Sequence, residues 1–191
     1  MEKPIELNLS LCGWIIRDYR QDDFEVGHEY TFSLNLYIKT AEIVSTGSES
    51  FEEFGFGEYR FSGRTLLSHP EVEIFDVGIR CYRVLEPVGT SKPKVGGYFK
   101  GTGNFVIDEG LHCESEENEL TNANLEYRWR VKKIWMTGPQ IKPAPRQKTK
   151  RLFKINRIPT EYEDIQRTDG RNDFGGLASY YLRCECLGLA T

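Results

Sequence analysis

The residues best suited to bind a metal are Cys184 and Cys186, near the C-terminus, together with the His112–Cys113 pair. Thiolates and imidazoles are the ligands of structural zinc sites, which usually place two residues between paired cysteines. A Cys-x-Cys spacing on a β-strand puts both thiols on one face about 7 Å apart, because each residue advances the strand by about 3.3 Å. That separation is too wide for easy sharing of one ion. We therefore predict buried structural cysteines, with no metal site and no cofactor.

Oxygen ligands are clustered in the segment TDGRNDFGG, where Asp169, Asn172 and Asp173 lie close together. The segment lacks the glycine and bidentate glutamate positions of a calcium-binding EF-hand loop, so a turn explains it better. None of the three histidines belongs to a recognisable nucleophile or metal signature. We predict no catalytic residue, and an enzyme of unknown class stays the last alternative.

Positive charge is concentrated between Tyr127 and Thr160, a window with eleven Lys and Arg and no acidic residue. The whole chain has a net charge of −4, and residues 1–126 alone sum to −12. Three of the basic residues occupy alternate positions of one strand and therefore share a face. The candidate binding residues are Arg128, Arg130, Lys132, Lys142, Arg146, Lys148, Lys150, Arg151, Lys154 and Arg157.

This basic stretch has two interpretations. In the first, it binds the phosphates of a nucleic acid, with Trp135, Phe153 or Tyr127 stacking on bases. In the second, it neutralises the acidic segment at residues 108–119, which precedes the basic strand and could be joined to it as a hairpin. Both interpretations stay open at the sequence level.

Three phenylalanines, Phe51, Phe54 and Phe56, lie in a glycine- and glutamate-rich segment at residues 45–58 and are candidates for contact with a partner. An acidic domain without catalytic motifs is suited to bind a basic protein, because complementary potentials speed association. We expect a non-catalytic cytosolic protein-binding domain, of an immunity or inhibitor type. The alternative is a nucleic-acid-binding β-barrel that uses residues 128–157.

The elements that position these residues are β-strands, because apolar and polar residues alternate with period two along most of the chain. Ile134 breaks this alternation, which predicts a β-bulge or strand end near Lys133. The predicted inward-facing sets are Ile5, Leu7, Leu9 and Leu11; Phe32, Leu34, Leu36 and Ile38; Phe75, Val77, Ile79, Cys81 and Leu85; Leu125, Tyr127, Trp129 and Val131; and Tyr180, Leu182, Cys184 and Cys186.

The sequence predicts an all-β fold, either a single antiparallel β-barrel or a two-sheet β-sandwich. A capping-box pattern at Thr160 and Glu163, after Pro159, predicts one short helix near residues 160–168. Residues 1–191 form a single domain in this prediction. Similar stretches at 55–89 and 96–139 leave open a duplicated hairpin unit, although antiparallel β proteins often reuse such patterns.

Five scattered cysteines, the absence of a signal peptide and the lack of a long apolar segment favour a cytoplasmic protein without a membrane span.

Overall fold

A computed structural model describes residues 4–17, 22–69, 72–84, 95–107, 124–138, 140–142, 154–156, 162–170, 172–173 and 178–190. Almost all of the regular structure in these residues is β-strand. The elements are β1 (Glu6–Cys12), α1 (Gly13–Arg17), β2 (Glu29–Val44), β3 (Ser50–Gly55), β4 (Glu58–Ser68), β5 (Val72–Asp76), β6 (Arg80–Val84), β7 (Tyr98–Ile107), β8 (Glu126–Thr137), β9 (Gln140–Lys142), β10 (Lys154–Asn156), β11 (Glu163–Ile165) and β12 (Ser179–Leu189).

Ten of the described strands form one sheet in the order β11-β8-β12-β1-β7-β2-β6-β5-β4-β3. Two further pairings, β8–β2 and β7–β4, close this sheet on itself, while β9 and β10 pair only with each other. The described strands pair antiparallel, except at two single-residue contacts that join β1 to β7 and β2 to β6 in parallel. The predicted all-β class is confirmed.

The core is built from the inward faces that the alternation predicts. Leu7, Leu9 and Leu11 on β1 are buried, and so are the predicted residues Phe32, Leu34, Leu36, Tyr180, Leu182 and Cys184 on β2 and β12. Three other members of the predicted sets, Ile5, Ile38 and Cys186, are half-buried, and Leu85 lies outside the described residues. Trp129 on β8 lies at the centre, where its ring stacks on Phe32 at 5.5 Å and its Nε1 donates to the Phe32 carbonyl oxygen at 3.2 Å. Burying such rings contributes a large share of the folding free energy.

A side chain joins β1 to β4, which do not pair as strands. The Tyr59 hydroxyl on β4 accepts a hydrogen bond from the Asn8 backbone N–H at 2.7 Å, and the Asn8 side chain donates to Glu53 on β3 at 2.8 Å. The Tyr59 hydroxyl thus gives the Asn8 N–H a side-chain partner, in keeping with the rule that buried peptide groups are paired.

The predicted helix near residues 160–168 is wrong where the structure describes this region. Glu163–Ile165 form β11, which pairs antiparallel with β8 opposite Ile134–Met136. A capping box stabilises only one helical turn, whereas the strand gains ladder hydrogen bonds and packs Ile165 against the core. The helix that does form, α1, directly follows β1 and contributes the buried residues Ile15 and Ile16.

The predicted inward-facing set from Phe75 to Leu85 does not lie on one strand, because β5 and β6 form a hairpin within it. Gly78 takes a positive φ of 91° in the turn, and its N–H donates to Asp76 Oδ1 at 3.0 Å. Tyr82, which is out of phase with the predicted inward-facing set, is buried in a second small cluster with Val72 and Ile74. The alternation hides the turn because Val77 and Ile79, within it, are both buried.

The predicted irregularity near Lys133 is confirmed. Arg183 on β12 lies opposite Lys133, but the next residue, Cys184, lies opposite Val131, so Lys132 is an extra residue in β8. This bulge returns Ile134 to the core, where it is buried.

Candidate functional site

The basic strand carries its charges on an exposed face of β8. Arg130 Nη2 lies 2.7 Å from Glu29 Oε1 on β2, and Arg130 Nη1 lies 3.5 Å from Glu185 Oε2 on β12. Lys132 Nζ lies 3.5 Å from the same Glu185 oxygen, and Arg128 is exposed. Of these three cations, Arg130 and Lys132 are therefore balanced by acids of the neighbouring strands.

The basic stretch beyond β8 forms part of a small hairpin. Lys142 on β9 lies opposite Lys154 on β10 in the backbone register of these two short strands. The other predicted cations of this stretch, Arg146, Lys148, Lys150, Arg151 and Arg157, lie outside the described residues. The acidic segment at residues 108–119 also lies outside them, so its predicted pairing with the basic strand stays a prediction.

The three predicted partner-facing phenylalanines occupy different environments. Phe51 is half-buried and packs against the core, with its ring 5.8 Å from that of Phe105. Phe54 is 44% exposed and carries the Arg60 guanidinium over its face, 4.6 Å from the ring centroid. Phe56 lies between β3 and β4 and joins a surface cluster of rings.

This aromatic patch consists of Phe56, Trp135, Tyr162 and Tyr181. The Phe56 ring lies 5.0 Å from Trp135, 4.9 Å from Tyr162 and 5.0 Å from Tyr181. Phe56 is 39% exposed and Tyr162 is 42% exposed, while the other two rings are half-buried. The four rings therefore form a continuous apolar surface that reaches solvent.

The local backbone explains why Phe56 can reach the other strands. Gly57 has a positive φ of 67°, and a Cβ atom there would lie 3.0 Å from the Tyr181 ring, so glycine lets the turn approach β12 closely. The turn is held by the Gly57 N–H, which donates to Glu53 Oε1 at 2.8 Å, and by the Asn104 side chain, which donates to the Gly57 carbonyl. Burial raises the pKa of the Tyr181 hydroxyl.

The remaining members of the patch are positioned by strand register. Trp135 on β8 lies directly opposite Tyr181 on β12 and Asp164 on β11. Lys133 Nζ lies 4.9 Å from the Trp135 ring centroid and 2.9 Å from Asp164 Oδ2. The patch thus holds a cation over one aromatic face, which is a favourable arrangement for indole.

Comparison with protein families, with curated proteins and with solved structures finds no match for this chain.

A concave feature, which we name the hydroxyl groove, lies on the adjacent strands β2, β7, β4 and β3. Its volume is about 610 Å³ and its lining includes Thr40, Glu42, Arg60, Lys100 and Thr102. The two threonine hydroxyls lie 2.7 Å apart, and Lys100 Nζ lies 2.7 Å from Glu42 Oε1. Clefts of this size can accommodate small ligands.

The groups first considered for chemistry have structural roles where the structure describes them, whereas His112 and Cys113 lie outside the described residues. In the described residues, no three His, Cys, Asp or Glu side chains are placed to hold one metal ion. Asp169 and Asp173 organise the predicted turn: Asp173 Oδ2 accepts from the Asp169 N–H at 3.0 Å and from the Tyr180 hydroxyl at 2.7 Å. Burial raises the pKa of the Cys81 and Cys184 thiols, so both stay protonated at neutral pH and neither is an activated nucleophile.

Sequence reasoning identified Phe56 but missed the other rings as members of one patch. Tyr162 lies beside β11 and Tyr181 lies on β12. Both strands pair with β8, from which β12 is distant in sequence. The signal available in the sequence was the alternation of inward- and outward-facing residues along β12, because Tyr181 is out of phase with the buried Tyr180 and must face outwards.

The described part of the chain contains no helix long and apolar enough to cross a bilayer.

Proposed function

We propose that the protein is a non-catalytic binding domain that docks another protein through the aromatic patch. The observation that carries this proposal is the contact of Phe56 with Trp135, Tyr162 and Tyr181 on a surface where Phe56 and Tyr162 stay about two-fifths exposed. Protein interfaces are enriched in Phe, Tyr and Trp, and a few such rings carry most of the binding energy.

The partner is proposed to combine an apolar centre with a basic rim. Glu163 and Asp164 on β11 are exposed beside the patch, and the chain as a whole is acidic, with a net charge of −4. Complementary charge at the rim speeds association and selects among partners, while the rings supply the affinity. Neutralisation of a basic protein, as immunity and inhibitor proteins do, suits this layout.

A cytoplasmic location is part of the same proposal. The described cysteines, Cys12, Cys81, Cys184 and Cys186, are all free thiols. Free thiols are the usual state in a reducing compartment, and the exposed Cys12 would be vulnerable to oxidation elsewhere.

Paired capture experiments test the docking proposal. The protein, its Phe56→Ser/Tyr162→Ser variant and an Ile43→Ser variant are immobilised and exposed to nuclease-treated lysate of the source organism. Ile43 is 63% exposed outside the patch, so it controls for loss of an exposed apolar side chain. We expect one protein to be retained by the wild type and by Ile43→Ser but lost by the patch variant. Equal retention by all three would overturn the proposal.

Nucleic-acid binding is the second candidate, favoured by the eleven Lys and Arg between Tyr127 and Thr160, a window without acidic residues, and by the exposed Arg128 on β8. Anisotropy of a labelled single-stranded oligonucleotide, measured against salt, tests it. Charge reversal at Lys148, Lys150 and Arg151 should then lower the salt slope. A flat salt dependence in the wild type would exclude this candidate. An enzymatic role stays a prediction without a defined site.

A further inference from the structure

The hydroxyl groove is built from side chains in two cross-strand rows. In the first row, Thr40 on β2 lies opposite Thr102 on β7, which lies opposite Arg60 on β4, which lies opposite Glu52 on β3. In the second row the order is Glu42, Lys100, Ser62 and Ser50. Because side chains alternate along a strand, positions two residues apart share a face, so both rows line the same surface.

Most of the groove's charge is already balanced. Lys100 and Glu42 form an ion pair at 2.7 Å, and the Thr40 and Thr102 hydroxyls hydrogen-bond to each other. Arg60 differs: among the described residues, no carboxylate lies within 4 Å of its guanidinium. Glu52 is its direct cross-strand neighbour but does not pair with it.

Arg60 is nevertheless oriented. Its guanidinium carbon lies over the Phe54 ring, 4.6 Å from the centroid, and an arginine on an aromatic face can still donate hydrogen bonds from the edge of its fork. A stacked arginine with available donors is suited to a planar carboxylate or to phosphate, which it binds through two parallel hydrogen bonds. The adjacent hydroxyls can donate to further ligand oxygens, because each hydroxyl both donates and accepts.

We propose that the hydroxyl groove is a binding site for a small polar ligand bearing an oxyanion, a carboxylate or a phosphate, with Arg60 as the principal contact and Thr102 and Ser62 as hydroxyl contacts. The groove volume of about 610 Å³ fits a small metabolite-sized ligand. This site uses a different surface from the aromatic patch and does not depend on the proposed docking of a protein.

Nuclear magnetic resonance titration tests the proposal. Uniformly ¹⁵N-labelled protein is titrated with sodium phosphate and, separately, with sodium succinate, at constant ionic strength adjusted with chloride. We expect saturable shifts at residues 40–42, 60–62 and 100–102 with at least one of the two anions. Saturation by phosphate would indicate a phosphate-bearing ligand, and saturation by succinate would indicate a carboxylate-bearing one.

Three variants make the result specific. Arg60→Gln should weaken binding about tenfold or more, because hydrogen bonds to charged groups are worth about 1.5–3 kcal/mol. Glu52→Gln should strengthen binding, since it removes a like charge beside the ligand. Arg64→Gln is the matched control: Arg64 lies on the same strand, pairs with Glu49 at 3.5 Å and does not line the groove. The Arg64→Gln variant should bind the anions as the wild type does.

Two outcomes would overturn the site. The first is the absence of saturable shifts with both anions. The second is equal weakening by Arg60→Gln and Arg64→Gln, which would show that the anions respond only to net charge. Circular dichroism of each variant separates either outcome from misfolding.

Discussion

Arg130 Nη2 donates a hydrogen bond to Glu29 Oε1 at 2.7 Å across the β2–β8 pair. The same guanidinium lies 3.5 Å from Glu185 on β12, so the central cation of the basic strand is held between two acids. The bond to Glu29 raises the pKa of Arg130, which stabilises its charged form. The basic strand therefore finds acidic partners that are distant in sequence, and its charge is largely compensated within the fold.

This compensation predicts that neutralising the paired acids frees the basic strand to bind nucleic acid more tightly. In the Glu29→Gln/Glu185→Gln variant, Arg130 and Lys132 lose their carboxylates, so we expect tighter binding of a single-stranded oligonucleotide, measured by anisotropy at low salt. The Asp22→Asn/Glu163→Gln variant is the control. It changes the net charge by the same amount as Glu29→Gln/Glu185→Gln, but its two acids form no ion pair within the described residues. Identical gains in both variants would contradict a local effect of Glu29 and Glu185.

A second prediction concerns the contact that joins β1 to β4. Tyr59→Phe removes the acceptor of the Asn8 backbone N–H, which lies 2.7 Å from the hydroxyl. The donor is then unpaired in a partly buried position, so we expect a loss of about 1–2 kcal/mol in the free energy of unfolding, measured with urea. Tyr37→Phe is the control, because Tyr37 is 62% exposed. Equal stability of the two variants would contradict the structural role of Tyr59.

The parts of the fold that follow from local periodicity are predictable from the sequence. The buried faces of β1, β2 and β12 follow from alternation, and the bulge in β8 follows from the broken parity at Ile134. The turn at Gly78 could not be found in this way, since buried residues continue in phase through it. The helix prediction failed because a local capping signal competes with strand pairing along β8, which is a tertiary interaction.

The sites depend even more on distant contacts. Phe56 stands out in the sequence because glycines flank it, but its contacts with Trp135 and Tyr181 depend on the register between β8 and β12. The hydroxyl groove needs the register of four strands. A shift of one residue turns every side chain of a strand to the other face, so these sites follow only from the assembled sheet.

A third prediction follows from the buried titratable groups. Burial raises the pKa of Cys81, Cys184 and Tyr59 in the folded state, so the folded protein keeps protons that the unfolded chain releases. This contribution to stability is fully present at neutral pH and is lost as the pH rises above about 8.5, where unfolded thiols begin to ionise. The free energy of unfolding, measured with urea and a reductant from pH 7 to 10, should fall accordingly.

Single-cysteine variants isolate this effect. Cys184→Ala should flatten the alkaline slope by at most about 1.4 kcal/mol per pH unit, the value for one linked proton. Cys12→Ala is the control and should leave the slope unchanged, because Cys12 is exposed. The comparison uses the slope of the free energy of unfolding against pH, because the cavity left by Cys184→Ala lowers stability by the same amount at every pH and does not change the slope. Parallel slopes for wild type and Cys184→Ala would refute the linkage.

The fourth prediction concerns a carboxylate with no exposed surface. Glu73 on β5 is fully buried, and its Oε2 lies 3.0 Å from Arg83 Nη2 on the paired strand β6. Arg83→Met removes an opposing charge 3.0 Å from a buried carboxylate, so we expect a loss of about 3 kcal/mol in the free energy of unfolding. Arg64→Met is the matched control, because Arg64 pairs with the partly exposed Glu49 and should lose less than about 1 kcal/mol.

The double variant Glu73→Gln/Arg83→Met separates the pair from the packing around it. If the loss in Arg83→Met comes from an uncompensated charge, neutralising Glu73 in that background should restore most of the stability. If the loss comes from the missing arginine stem, the double variant should be no more stable than the single one. Urea unfolding of the four members of this cycle at pH 7 gives the coupling energy between Glu73 and Arg83. A coupling near zero would show that this ion pair contributes nothing to the stability of the β5–β6 hairpin.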